Sequence, residues 1–325
     1  IFFDFGDGNF TKVFDVDASS VPFFESFPNG RVGFYNYSQN EVIYKNFTVP
    51  NGNFEIVSTG GGIEGVDWML SGSTLIPLSS NAKINSSDFE SLQTGVSTIK
   101  ISAESAFTLS DEIDITIPLT IESETITLNS DIISSVDIGE ALALKSEKSI
   151  STNTSGVTII TQGGNVLLNS NTDDSEGGSI AMDIATINTN GGNITLSGGS
   201  DPFTGYAEGL NEPSITGYSL QTPFKGIFLN GTTLNAAGGD IILRGKGGDV
   251  TGVAGSYFAI GIDMVGYQSD AQGNANTLGT IITTSGSGSI SLNGLGGVNN
   301  NANTHAVGIN FFENNGGVNS ISTTD

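Results

Sequence analysis

Gly191-Gly192-Asn193-Ile194-Thr195-Leu196-Ser197-Gly198 decides the fold, because the chain repeats it. It returns as Gly239-Asp240-Ile241-Ile242-Leu243-Arg244-Gly245 and again as Gly288-Ser289-Ile290-Ser291-Leu292-Asn293-Gly294. A weaker copy, Gly163-Gly164-Asn165-Val166-Leu167-Leu168-Asn169, precedes them. Ile194, Ile241 and Ile290 are 47 and 49 residues apart, and a recurring unit with turn glycines is the signature of a solenoid. The full phrase is Ile-x-Thr-x-Gly-Gly-x-Ile-x-Leu over 187–196. Its companion is Gly226-Ile227-Phe228-Leu229, repeated as Gly261-Ile262-Asp263-Met264 and Gly308-Ile309-Asn310-Phe311. With about 20–25 residues to a coil, each module is expected to make two coils of a parallel β-helix. Inward Ile, Leu and Val stack from coil to coil, and the glycines turn corners that need positive φ.

Outward from the repeats the same grammar runs from residue 96 to 325. Ile113-Asp114-Ile115-Thr116-Ile117, 121–128, 142–144 and 157–160 alternate apolar and polar residues, the period of short strands. Helix content is expected to be very low, with three short strands per coil. The segments 200–219 and 267–277 read as insertions, which on solenoids often carry contacts. Ile321-Ser322-Thr323 matches Ile187-Asn188-Thr189, so the sequence stops within a repeat. The expectation is a solenoid that continues beyond residue 325, or an open end that docks on a further subunit.

The first 95 residues differ in composition. Fifteen of the 27 aromatics fall in the first 68 residues and only six of the 45 glycines in the first 60, which separates residues 1–95 as a β-rich unit or cap. Its strands are expected at Arg31-Val32-Gly33-Phe34-Tyr35 and Glu41-Val42-Ile43-Tyr44, with a turn at Asp4-Phe5-Gly6-Asp7-Gly8. The fold class is therefore all-β: an aromatic-rich, β-sandwich-like or capping unit, then a β-solenoid over 96–325.

Thirty-four acidic against ten basic residues give a net charge of −24, which repels nucleic acid and anionic membrane. The absence of cysteine excludes thiol catalysis, zinc-thiolate sites and disulfides, and suits stacked coils that bury a continuous core. No apolar run approaches the roughly 20 residues of a membrane span. The chain opens at Ile1 without an initiator Met or signal-like stretch, as expected of a processed form or a part of something longer.

Ile187-Asn188-Thr189-Asn190-Gly191-Gly192-Asn193-Ile194-Thr195-Leu196 resembles the repeats of very large secreted bacterial surface proteins, the filamentous-haemagglutinin-like β-helix adhesins. The resemblance covers about residues 96–325 and identifies architecture better than activity. It implies a right-handed parallel β-helix on an outer surface, serving adhesion, sheath or filament formation. Residues 1–95 lack the Asn-Pro-containing signature of a two-partner secretion domain.

An enzyme is the rival from another class, because parallel β-helices also carry polysaccharide lyases and hydrolases. Asn171-Thr172-Asp173-Asp174 resembles polygalacturonase motifs, and inverting hydrolysis needs carboxylates roughly 6.5–9.5 Å apart. The companion motifs are missing: His305 lies in Thr304-His305-Ala306, and the only Arg-x-Lys is Arg244-Gly245-Lys246, inside a repeat. The Asn171 segment therefore reads as a turn, His305 as a surface loop residue and Trp68 as core. Two arginines in the whole chain do not furnish a lyase base beside clustered carboxylates. Asp4, Asp7, Asp15 and Asp17 offer oxygens for a structural calcium without EF-hand spacing, and Gly238-Gly239-Asp240 and Gly247-Gly248-Asp249 are not calcium-roll nonapeptides. Seven Asn-x-Ser/Thr sequons (Asn9, Asn36, Asn46, Asn85, Asn153, Asn193, Asn230) suit an Asn- and Thr-rich chain. Thr189, Thr283 and Thr323 recur without the constant neighbours of an ice-binding face.

The expectation is thus a secreted, cell-surface structural or adhesive protein, without catalytic residues or cofactor. Its partners are further copies of itself in a filament, or a cell-surface or carbohydrate receptor.

Overall fold

The structure is a computed structural model. It describes residues 2–4, 10–12, 52–65, 67–152, 156–175, 177–210, 224–251, 258–266, 278–298, 305–313 and 317–325. The chain divides into two compact units, Ile1–Thr48 and Val49–Asp325. In the first, Phe2–Asp4 pairs antiparallel with Phe10–Lys12; of the turn expected at 4–8, residues 5–8 lie outside the described residues. The strands expected at 31–35 and 41–44, and Asp7, Asp15 and Asp17, lie outside the described residues.

The second unit is all-β, with parallel strands in its sheets. One sheet has seven strands: Ile113–Ile115, Ile132–Ser134, Thr158–Ile160, Thr186–Asn188, Thr233–Asn235, Ile281–Ser285 and Ser320–Thr324, each parallel to the next. The sixteen-stranded sheet carries two further runs. The first passes through Asn165–Ser170, Ile194–Gly198, Ile241–Lys246 and Ile290–Leu295. The second passes through Ile180–Asp183, Ile227–Asn230, Phe258–Val265 and His305–Phe312. In earlier circuits a single long strand serves both runs: Ile99–Leu109, Leu119–Leu128 and Glu140–Thr152. These exceed the expected strand length because the chain turns within the strand, at irregularities between Ala103 and Ala106 and between Ser146 and Ser149, and no turn residues are needed.

Register puts like residues on like. Ile113, Ile132, Ile159, Ile187, Leu234, Ile282 and Ile321 form one interior column. Val166, Ile194, Ile241 and Ile290 form a second, and Ile180, Ile227, Ile262 and Ile309 a third. Interior members before the last circuit are buried, joined in one hydrophobic cluster. Each is worth about 1.5–3 kcal/mol of burial. A shift of one residue would turn a whole column to solvent, so the column fixes the register.

The expectation of two coils per module is overturned. Ile194 pairs directly with Ile241, and Ile241 with Ile290, so each module is one circuit through the three runs. The extra length lies in insertions, not in a second coil. Residues 199–226, which include the short strand Ala207–Glu208 paired with Ile241–Lys246, connect the first run to the second, and 266–280 connect the second run to the seven-stranded sheet. Both half-motifs alternate alike, so sequence spacing alone could not distinguish a coil from an insertion of similar length.

The paired glycines divide their work, which corrects the reading of them all as corner turns. Gly163, Gly191 and Gly238 have φ of +119°, +115° and +124°, a backbone that only glycine adopts readily. Their followers Gly164, Gly192 and Gly239 have no such φ. A methyl group on Gly192 would fall against Gly164 O, one on Gly239 against Gly192 O, and one on Gly288 against Gly239 O. The second glycine is thus a stacking position between circuits. Thr161 and Thr189 close the same turn from inside, their hydroxyls donating to Gly164 O and Gly192 O at 2.5 Å. Thr189 is buried, which removes it from any ice-binding surface. Outside, Asn193 N–H donates to Asn165 Oδ1, Asp240 N–H to Asn193 Oδ1 and Ser289 N–H to Asp240 Oδ1, at 2.7–2.8 Å. That ladder explains the Asn or Asp after the glycine pair.

Candidate functional site: a closed and an open sheet edge

The two edges of the seven-stranded sheet are treated differently by the sequence. Beside the first strand, Ile113–Ile115, stands the short helix Ser86–Leu92, followed by a 3₁₀ turn at Gln93–Gly95. Asp88 lies in the helix's first turn, where its charge suits the dipole, and Phe89 is fully buried. The helix so anchored aims two side chains along the strand. Glu90 Oε1 accepts from Asp114 N–H at 3.0 Å. Gln93 Nε2 donates to Asp114 O and Gln93 Oε1 accepts from Thr116 N–H, both at 2.6 Å. Backbone groups that would otherwise recruit a strand are thereby satisfied.

The other edge has no such cover among the described residues. Ser320–Thr324 pairs only with Ile281–Ser285, and all five of its residues are exposed. Ile290–Leu295 and His305–Phe312 likewise end their runs. Among the described residues the interior columns run as far as Ile290, Leu292 and Ile309, only partly buried, and Phe311 and Ile321, 52% and 39% exposed.

The residues singled out from sequence fall elsewhere. Asn171-Thr172-Asp173-Asp174 is a turn after Asn165–Ser170: Asn171 and Asp174 have φ near +53° and +54°, and Asp174 N–H donates to Asn171 O. Asp173 takes the Ser175 hydroxyl at 2.6 Å, and Asp174 the Ser200 N–H. Asp201 is held below its ordinary range by Phe203 N–H and the Thr204 hydroxyl, with Arg244's charge a smaller cause. All three carboxylates are thus engaged locally. Lys246 pairs with Glu208 at 2.7 Å, whereas among the described residues Arg244 Nε is buried without a hydrogen-bond partner, as are Asn169 Oδ1 and Ser197 Oγ on neighbouring strands.

Asp240 serves the ladder, and Asp249 is lowered chiefly by Thr251, whose hydroxyl and N–H it accepts. Among the described residues no group of three His, Asp or Glu is placed to hold a metal. His305 is exposed, stacked on Phe258 with centroids 5.2 Å apart. Trp68 is in the core, its Nε1 donating to Gly62 O at 3.2 Å. No helix among the described residues is long and apolar enough to cross a membrane.

Two features escaped the sequence reading. Gln93 and Glu90 gave no signal, since their partners lie over twenty residues away. The buried pair Lys225–Asp263, at 2.6 Å, left only the odd Asp inside a Gly-Ile-Asp-Met motif. Comparison of the chain with known protein families, characterised proteins and solved structures finds no match.

Proposed function

We propose that residues 96–325 form a right-handed parallel β-helix, and that the protein is a secreted structural or adhesive surface protein whose β-helical rod assembles into an extracellular filament or sheath. Parallel strands joined through a crossover connect right-handedly in nearly all proteins, which supports the hand. The similarity of the repeats to filamentous-haemagglutinin-like adhesins supports the outer-surface setting, as do the absence of cysteine and the charge of −24.

The observation that carries the reading is the repeated stack: Ile159, Ile187, Leu234 and Ile282 hold one register through successive circuits, as do Val166, Ile194, Ile241 and Ile290. Each circuit lengthens the stack by about 4.8 Å. Weak contacts repeated along it sum by avidity.

Sedimentation and electron microscopy of the native protein test this. Elongated particles or concentration-dependent fibres are expected. Compact, monodisperse particles would overturn the reading.

A further inference from the structure

Asp263 sits in Phe258–Val265 in register with Phe228 on one side and Asn310 on the other, and is 2% exposed. Lys225 immediately precedes Gly226 and is 9% exposed. Its Nζ lies 2.6 Å from Asp263 Oδ2 and 4.2 Å from the centroid of the Phe228 ring. Asp263 Oδ1 accepts from Asn310 Nδ2 at 2.8 Å. The contrast with Lys83–Glu55 is large: that pair spans 2.7 Å with side chains 45% and 29% exposed. Two charges buried together lose hydration that their attraction recovers only in good geometry.

We propose that Lys225 and Asp263 are the site of a self-catalysed condensation, an isopeptide bond between two successive circuits. A proton passes along the hydrogen bond from the ammonium to the carboxylate, leaving a neutral amine and a carboxylic acid. The Nζ lone pair attacks Asp263 Cγ and the N–C bond forms. Negative charge develops on Oδ1, where Asn310 Nδ2 already donates, as in an oxyanion hole. A proton moves from Nζ to the hydroxyl on Oδ2, that C–O bond breaks, and water leaves as the carbonyl re-forms on Oδ1. Amine and acid become amide and water, with no oxidant or co-reactant.

Three features favour the step. The 2.6 Å contact of Nζ with Oδ2 holds the amine against the carboxyl it would attack, so proximity is already provided. Burial beside Phe228 favours replacing two charges by one neutral amide. Asn310 is a positioning residue, holding the other carboxyl oxygen, Oδ1. The bond ties the circuit that follows residues 199–226 to the next.

Mass spectrometry of the purified 325-residue chain decides the matter. The wild type is expected to be lighter than its sequence mass by one water. Lys225→Arg, which keeps the charge, is expected at full sequence mass. Trypsin cuts after Arg244 and Lys246, so the linked chain yields a branched fragment joining the stretch that contains Lys225 to the stretch that contains Asp263. Asn310→Ala is expected to lower the linked fraction at early times after synthesis. A wild-type chain at full sequence mass overturns the proposal without any variant. So does loss of water without a branched fragment, and loss of ammonia instead of water overturns the assignment to Asp263.

Discussion

Gln93 hydrogen-bonds Asp114 as a neighbouring strand would, its Nε2 donating to the Asp114 carbonyl at 2.6 Å while its Oε1 accepts from Thr116 N–H. Glu90 adds a further bond, its Oε1 accepting from Asp114 N–H at 3.0 Å, so two side chains of one short helical segment end the sheet beside Ile113–Ile115.

Gln93→Ala removes its bonds to Asp114 O and Thr116 N–H and opens that part of the edge, while Glu90 still holds Asp114 N–H. The loss of stability is about 1–3 kcal/mol, read by chemical denaturation. Light scattering is expected to show new association, because a strand can now add beside Ile113–Ile115. A variant that loses stability but stays as dispersed as the wild type would show that Gln93 is only a packing residue.

Adjacent glycines are expected to fail for different reasons. Gly191→Ala meets open space and costs about 1–2 kcal/mol through its positive φ. Gly192→Ala drives a methyl into Gly164 O and pushes two circuits apart, at roughly 1–3 kcal/mol or more. Hydrogen exchange separates them, with protection lost across neighbouring circuits only in the second.

Thr189→Val keeps the shape of a fully buried side chain but leaves the Gly192 carbonyl without its hydroxyl donor. The expected cost is about 1–3 kcal/mol, and Thr189→Ser, which keeps the donor, should cost less. A larger loss in Thr189→Ser than in Thr189→Val would assign the stability to the methyl group.

Burial raises the Asp183 carboxyl above its ordinary range, and the Asn230 Nδ2 bond at 2.6 Å opposes that only in part. The folded state thus holds this proton more tightly than the unfolded state. Its contribution to stability is full below the ordinary value of 3.8 and is lost as pH rises through the higher folded value. Asp183→Asn, which still offers an oxygen to Asn230, is expected to melt higher than the wild type at neutral pH. The gain should vanish in acid, and a difference independent of pH would refute the assignment.

The long edge-pairing signals were legible in the residues themselves. Ile187, Ile194 and Leu196 alternate with polar neighbours, and the glycine pairs recur at the turns, so short stacked strands and scarce helix followed from local pattern. What was misread depended on where the chain returns. A module of 47 residues holds one circuit because Ile194 lies under Ile241, and no local period distinguishes a strand from an apolar stretch in an insertion. Gln93 with Asp114 and Lys225 with Asp263 were invisible for the same reason, since their partners are chosen by the path between them.

The sequence by itself determined an all-β chain with repeated glycine-punctuated strands, no thiol chemistry and a strongly acidic balance. Side-chain alternation and composition are local and additive, so they survive without coordinates. Only the tertiary structure decided the number of circuits, the division of labour within each glycine pair, the closed and open edges, and the burial of Lys225 against Asp263. Those depend on register between distant segments, which is set by columns of Ile and Leu finding one another across the stack.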